Sequence, residues 1–223
     1  MPDVAPCLLL PPLYSPFNSW GRDVLLFADA VTGAPTTTRD YDVLESNFWW
    51  ANYHSLGAVD NDDGSSYYAV RSNVFMYGDG GQKSDFEGHD NTAQDNLYAF
   101  IRYLSHNGYG STIGSPGEGV LPGHEHRCTG NTAVLTSDGA YALPICTGDG
   151  KTVMGNNTLF TPTGNVTECG ASLAAWQAAG NDPGTVALAY ADTTAGALIA
   201  LARSKIMVPS LAASQAAVDR AVA

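Results

Sequence analysis

The chain has 223 residues, 44% of them hydrophobic and only 14% charged, with 24 glycines and 12 prolines, a profile that fits one large turn-rich domain. Its 22 acidic residues against 10 basic ones give a formal charge of −12. That balance excludes nucleic acid as a partner, since binding a phosphate backbone needs Lys and Arg to displace counterions, and no apolar run is long enough to insert across a membrane.

Residues 1–40 carry little pattern and are expected to form an irregular N-terminal segment with one strand in the apolar run Asp23–Ala28. The opening MPDVAPCLLLPPLYSPF lacks the basic start and long apolar core of a signal peptide. From 41 to 168 the asparagines keep time. Asn47 (LESNFWW), Asn73 (VRSNVFM), Asn96 (AQDNLYA), Asn131 (CTGNTAV) and Asn156 (VMGNNTL) stand beside strand-like residues at separations of 26, 23, 35 and 25. The long interval contains HNGYGSTIGSPG, a Gly/Ser/Pro loop at 106–117. A β-rich repeat of this length predicts stacked coils, with insertions projecting as loops.

In such a coil alternate strand residues point into a narrow apolar interior, and Val43, Phe48, Val70, Val74, Met76, Leu97, Val134 and Leu159 are the expected inward set. Corners need residues that tolerate left-handed backbone, hence Asn and Gly. Asparagines repeated at one corner stack about 4.8 Å apart and bond the coils above and below. Residues 169–223 are expected to form a helical cap and tail, with helices over Ser172–Ala179 and Ala191–Ile206.

The four cysteines, Cys7, Cys128, Cys146 and Cys169, form no CxxC pair, which argues against structural zinc. Cys146 and Cys169 lie 23 residues apart, about one coil. They stack either as a disulfide, which implies an extracellular setting, or as buried thiols. Asn156-Asn-Thr158 and Asn165-Val-Thr167 match glycosylation sequons.

The stretch from Gly57 to Asp90 holds two copies of one turn pattern at an offset of 24, Gly57 matching Gly81 and Gly64 matching Gly88. The segment NFWWANYHSLGAVDNDDGSSYYAVRSNVFMYGDGGQKSDFEGHDNTAQDNLYAF, with its DDGS turn and its K-x-D-F-x-G-H-D turn on successive coils, resembles the right-handed parallel β-helix proteins of the pectate-lyase-like superfamily. In particular it resembles the "right handed beta helix region" group. CGASLAAWQAAGNDPG at 169–184 resembles the linker that often closes such helices. The resemblance implies an all-β fold, a single-stranded right-handed parallel β-helix (solenoid) with a C-terminal helical cap. Lyases, hydrolases and inert scaffolds all occur in that superfamily, so fold alone does not choose among them.

Stacking turns the repeat into candidate geometry. At an offset of 24, Asp63 lies in one column with Glu87 and Ser65 in another with His89, which His124 joins on the next coil when counted back from Asn131. Carboxylates on adjacent coils sit about 5 Å apart, the separation used by retaining glycosidases, and Asp63 with Glu87 is the pair to name. Asp60, Asp62, Asp63 and Asp85 offer oxygen ligands for Ca²⁺. With calcium masking a uronate, Lys83 or His89 is the candidate base of a polysaccharide lyase. His124-Glu125-His126 places two imidazoles on one strand face, and with His89 they can hold a transition metal. In Phe48-Trp49-Trp50-Ala-Asn-Tyr53, period-two alternation sends Trp49 one way and Phe48 and Trp50 the other. At least one large ring therefore faces solvent, and Trp49, Trp50, Tyr53 and His124 are the candidate sugar contacts. The expected protein is an extracellular monomer that binds or cleaves a polysaccharide on an acidic flank. The alternative is a non-catalytic structural or adhesive solenoid whose Asp and Asn side chains serve only to form turns.

Overall fold

The computed structural model describes residues 17–20, 27–29, 34–35, 40–52, 57–62, 64–84, 88–107, 123–143 and 152–206. Strand β1 (Phe17–Trp20) comes first, then a short antiparallel pair, β2 (Phe27–Asp29) and β3 (Ala34–Pro35). A repeating triplet follows: β4 (Asp42–Glu45), β5 (Phe48–Asn52) and β6 (Val59–Asp62); then β7 (Tyr68–Arg71), β8 (Val74–Gly78) and β9 (Gly80–Ser84). The next coil is β10 (Thr92–Gln94), β11 (Leu97–Ile101) and β12 (Tyr103–Asn107). After it come β13 (Arg127–Thr129), β14 (Thr132–Leu135), β15 (Gly139–Ala140) and β16 (Ala142–Leu143). The last turns are β17 (Val153–Gly155), β18 (Thr158–Thr161), β19 (Val166–Glu168), β20 (Ala171–Ser172), helix α1 (Leu173–Ala178), β21 (Val186–Ala189) and helix α2 (Ala195–Lys205).

Corresponding strands of each coil stack in parallel. One sheet runs β4-β7-β10-β13-β17, a second β5-β8-β11-β14-β18-β21, and a third β1-β6-β9-β12-β16. The chain is a parallel β-solenoid. β1 already pairs with β6, Phe17 opposite Val59, so the stack begins inside the segment expected to be irregular. β12 runs through His106 and Asn107; the rest of the loop expected at 106–117 lies outside the described residues.

The corner between the first two sheets sets the whole register. Oδ1 of each ladder asparagine accepts the backbone N–H of the rung before it: Asn73 from Asn47, Asn96 from Asn73, Asn131 from Asn96 and Asn157 from Asn131, at 2.9–3.0 Å. The amide nitrogens donate onward to the next Oδ1 and back to strand carbonyls, as Asn96 does to Val70 at 2.8 Å. Thr185 ends the series, its hydroxyl accepting the Asn157 N–H at 3.0 Å. The last asparagine rung is thus Asn157 and not the expected Asn156. Asn156 belongs to the column one residue earlier, Ser46, Ser72, Asp95, Gly130, Asn156 and Gly184, all at positive φ between 53° and 76°. Short polar residues and glycine tolerate that conformation, and the sequence Asn156-Asn157 serves both columns in turn.

Because the rung is fixed, the residue after it points out and the next points in. Trp49, Phe75, Tyr98, Ala133, Leu159 and Ala187 share one inward column, and Trp49, Phe75 and Tyr98 stack ring on ring at 6.2 and 5.0 Å. Leu44, Val70, Ala93, Cys128 and Met154 form a second inward column. Ala58, Val59, Leu104, Tyr141 and Ala142 close the third side. Of the expected inward set, Val70 and Leu159 are correct. Val43 and Phe48 are instead 48% and 50% exposed on the outside, and Met76 shares the outward position of Trp50. Val74, Leu97 and Val134 also take outward positions and are buried outside the core cluster.

The C-terminal segment returns along that outer face. The Tyr190 hydroxyl donates to the Leu135 carbonyl, α2 packs against β11, Lys205 Nζ donates to the Asp95 carbonyl, and the Lys205 carbonyl accepts from the Ser46 hydroxyl. The two helices begin at side-chain caps, Ser172 Oγ accepting from Ala175 N and Thr194 Oγ1 from Ala197 N. α2 therefore covers the flank of the coils, while α1 lies against β19 and β20 with Leu173 packed on the core.

Replacing Asn96 by Ala leaves the buried Asn73 N–H and Val70 carbonyl without their partners, and each such loss costs about 1–3 kcal/mol. Urea unfolding is expected to show Asn96→Ala destabilised by about 2–4 kcal/mol and Asn47→Ala, at the half-buried first rung, by less than about 1 kcal/mol. Equal losses at the two positions would contradict a ladder that depends on burial.

Candidate functional site

Within the acidic turn, the described residues gather around Lys83. Lys83 lies opposite Asp60 in the β6–β9 register, and its side chain is buried. Its ammonium makes ion pairs of 2.8 Å with both Asp60 and Asp62. A buried cation needs such partners, and the pairing commits Lys83 as a charge that holds the turn. Asp60 and Asp62, two of the four expected calcium ligands, each direct an oxygen at it. Asp63, Asp85 and Glu87 lie outside the described residues, as does Tyr53. The strands on either side of this turn pair at an offset of 23, Asn61 with Ser84 and Ala69 with Thr92, not the 24 on which the Asp63–Glu87 column was built. The same offset places Ser66, rather than Ser65, beside His89: Ser66 Oγ accepts the His89 N–H at 3.0 Å.

The histidines do converge. The β10–β13 register, Thr92 opposite Arg127, carries His89 and His124 to neighbouring positions at the preceding corner, where the Asp90 N–H donates to the His124 carbonyl at 3.0 Å. Their rings meet edge to face at 5.6 Å. Asp90, buried and in left-handed backbone at φ 56°, directs Oδ2 between the two Nδ1 atoms, 2.8 Å from His89 and 2.6 Å from His124. Burial alone would raise the Asp90 carboxyl; hydrogen bonds and electrostatic attraction from His89 and His124 outweigh it and hold the group below the ordinary aspartate range.

His126 faces the interior and does other work. Its Nδ1 accepts the Asn91 N–H at 3.3 Å, the role that an asparagine oxygen fills in the main ladder, while Asn91 Oδ1 accepts from the Tyr68 N–H at 3.0 Å. Burial, then repulsion from His89, pushes the His126 imidazole down to about 4, so it remains neutral and keeps its acceptor lone pair.

The aromatic run splits as alternation requires, with Trp49 inside and Trp50 59% exposed. Outside, Trp50 joins a line of rings that the sequence reading did not assemble. Phe48 to Trp50 is 6.1 Å, Trp50 to Tyr77 5.2 Å edge to face, and Tyr77 to Phe100 5.1 Å stacked. Tyr77 and Phe100 have φ of 59° and 62°. Phe100 falls at a break in register between Ala99 and Ile101, and Tyr77 falls between the paired Met76 and Gly78. A bulge such as that at Phe100 turns a side chain off the regular pleat, and with Tyr77 in the same left-handed conformation two successive coils turn out an aromatic ring. Arg102 and Asp79 pair nearby at 2.9 Å with the guanidinium largely exposed.

A buried group near the last coils also escaped sequence reasoning. Glu168 accepts N–H bonds from Ala142 and Cys169, each at 3.2 Å, yet burial pushes its carboxyl up to about 8. Asp182, bonded to the Tyr141 hydroxyl and to Thr185 Oγ1, is raised by burial too, as are the Tyr141 phenol and the Cys128 thiol. Single acids in turn-rich sequence give no signal that their side chains fold inward. Cys146, the expected partner of Cys169, lies outside the described residues.

No family model, no curated protein and no solved structure matches the chain.

Glu168 sets a pH dependence of definite sign. Its native carboxyl holds a proton up to about 8, whereas in the unfolded chain it ionises above about 4.3. The native state therefore binds more protons across that window, and stability falls as pH rises through it. The loss is expected to be on the order of 4 kcal/mol between pH 4.5 and 8.5. Glu168→Gln should remove most of this slope, even though its amide nitrogen cannot replace an accepting oxygen and lowers stability at acid pH. Urea midpoints across that range compare the two slopes; identical slopes would exclude Glu168 as the source.

Proposed function

We propose that the protein is an extracellular carbohydrate-binding parallel β-helix of the pectate-lyase-like kind, which holds an extended polysaccharide against Phe48, Trp50, Tyr77 and Phe100. The observation that supports this reading is an aromatic residue in left-handed backbone repeated on successive coils. A bulky residue in left-handed backbone costs about 1–2 kcal/mol, and strain of this kind clusters at binding sites. Here it recurs at Tyr77 and Phe100 with both rings turned outward and stacked. A line of rings spaced 5.1–6.1 Å apart presents a continuous apolar surface to the C–H groups of an extended sugar chain. Arg102 and Asp79 supply hydrogen-bonding groups for hydroxyls at its edge. Exposed aromatic patches rimmed by polar groups mark interaction surfaces.

Binding rather than cleavage is favoured because both candidate lyase bases are engaged, Lys83 by Asp60 and Asp62 and the buried His89 by Asp90. These pairings equally favour a second reading, a structural solenoid without a substrate, and the ligand experiment separates the two. On a panel of neutral and acidic polysaccharides, with and without calcium, the parent protein is expected to bind at least one polymer and to quench or shift tryptophan fluorescence. Trp50→Ala and Phe100→Ala are expected to weaken that binding at least tenfold, about 1.4 kcal/mol, with unchanged circular dichroism. Failure to bind any polymer, or full affinity in both variants, would leave the structural reading.

The extracellular setting carries with it a Cys146–Cys169 cross-link. Intact mass after denaturing alkylation is expected to show two of the four cysteines modified without reduction, and all of them after it. Four modified cysteines without reduction would remove the argument for secretion.

A further inference from the structure

We infer that His89, Asp90 and His124 form a binding site for a divalent transition ion, with zinc the first candidate. One donor atom from each residue lies within 4.8 Å of the other two, and Nδ1 of both histidines points at the same carboxylate oxygen. Two imidazoles and one carboxylate suit zinc or its neighbours and not calcium, which takes oxygen ligands in larger number. Asp60 and Asp62, two of the acids expected to bind calcium, are on Lys83.

The scaffold holds these donors in place before any ion arrives. His89 and His124 are 35 residues apart in sequence and become neighbours only through the β10–β13 register. The His89 backbone is tied to Ser66 Oγ, its ring packs edge to face on Tyr67 at 5.2 Å, and the Asp90 N–H is bonded to His124. His89 and Asp90 are buried, whereas the His124 side chain is 18% exposed. That asymmetry gives an entry side and leaves room for a water to complete a tetrahedral set of three protein ligands. The present separations of 2.8 and 2.6 Å are hydrogen-bond lengths. Ligand atoms on a tetrahedral zinc stand about 3.3 Å apart, given bonds near 2.0 Å. The site must therefore open by roughly half an ångström, and His124, on the solvent side, is the ligand able to move.

The test uses the full chain, freed of metal with a chelator and dialysed against ZnCl₂, then against CoCl₂. The expected result is one zinc per chain by elemental analysis, a zinc-dependent rise in melting temperature, and visible cobalt absorption of the intensity seen in tetrahedral sites. His124→Ala, at the exposed edge, and Asp90→Asn are each expected to weaken zinc binding at least tenfold and to abolish the cobalt bands. Asp138→Asn, at an exposed turn elsewhere, should change neither. Zinc bound equally well by His124→Ala and Asp90→Asn would place the ion elsewhere and overturn the proposal. No bound ion and no thermal shift would overturn it too, leaving two Nδ1–H donors on one carboxylate.

Discussion

Everything in this protein depends on a side-chain amide standing in for backbone at one corner of each coil. A chain that turns sharply every few residues strands N–H and C=O groups inside, where each must find a partner. The asparagine column supplies one acceptor and two donors per coil, and its members bond to one another as well as to the backbone. Because each rung binds the next, the corner fixes axial spacing and rotational phase together. The phase then decides that Trp49, Phe75 and Tyr98 go inward, and that Phe48 and Trp50 are left facing solvent.

The interior is correspondingly more polar than that of a layered domain. Ser19 and Asn61 bond inside the third sheet, Asn91 reaches Ser84, and His126 fills an asparagine-like place beside Asn91. Such groups are tolerable because stacking gives each of them a partner one coil away. Lys83 follows the same rule with charges, drawing on Asp60 and Asp62 from the coil before. The rule also explains why single-site changes here act on neighbours: removing one partner strands the next.

Against this regular background the proposed contacts fall at irregular positions. Tyr77 and Phe100 break the ladder to turn rings outward, and Asp90 adopts left-handed backbone where it gathers two imidazoles. Both devices rest on a rigid stack, so their geometry is set by register and not by the turn alone. They occupy different corners, and polymer contact at one does not require an ion at the other.

The parallel coil was legible in the sequence because asparagines at nearly constant spacing report a corner that only Asn serves well. The alternation around Trp49 was legible for the same local reason, as was the meeting of His89 with His124, once the inserted loop was subtracted. What remained hidden was of one kind. Asn156 and Asn157 are both good corner residues, and only the hydrogen bond to Asn131 shows which is the rung. The inward set was misphased because alternation has two phases of equal quality. The outward residues Val74, Leu97 and Val134 are apolar for a separate reason, lying on the face along which the C-terminal segment returns. An offset of 24 read from glycines differs by one residue from the 23 set by the strands, enough to put Ser66 rather than Ser65 beside His89. Local pattern determines that a residue sits at a corner or in a strand. Which side it faces and which coil it meets depend on pairings 23 to 35 residues away, where a one-residue slip exchanges inside for outside.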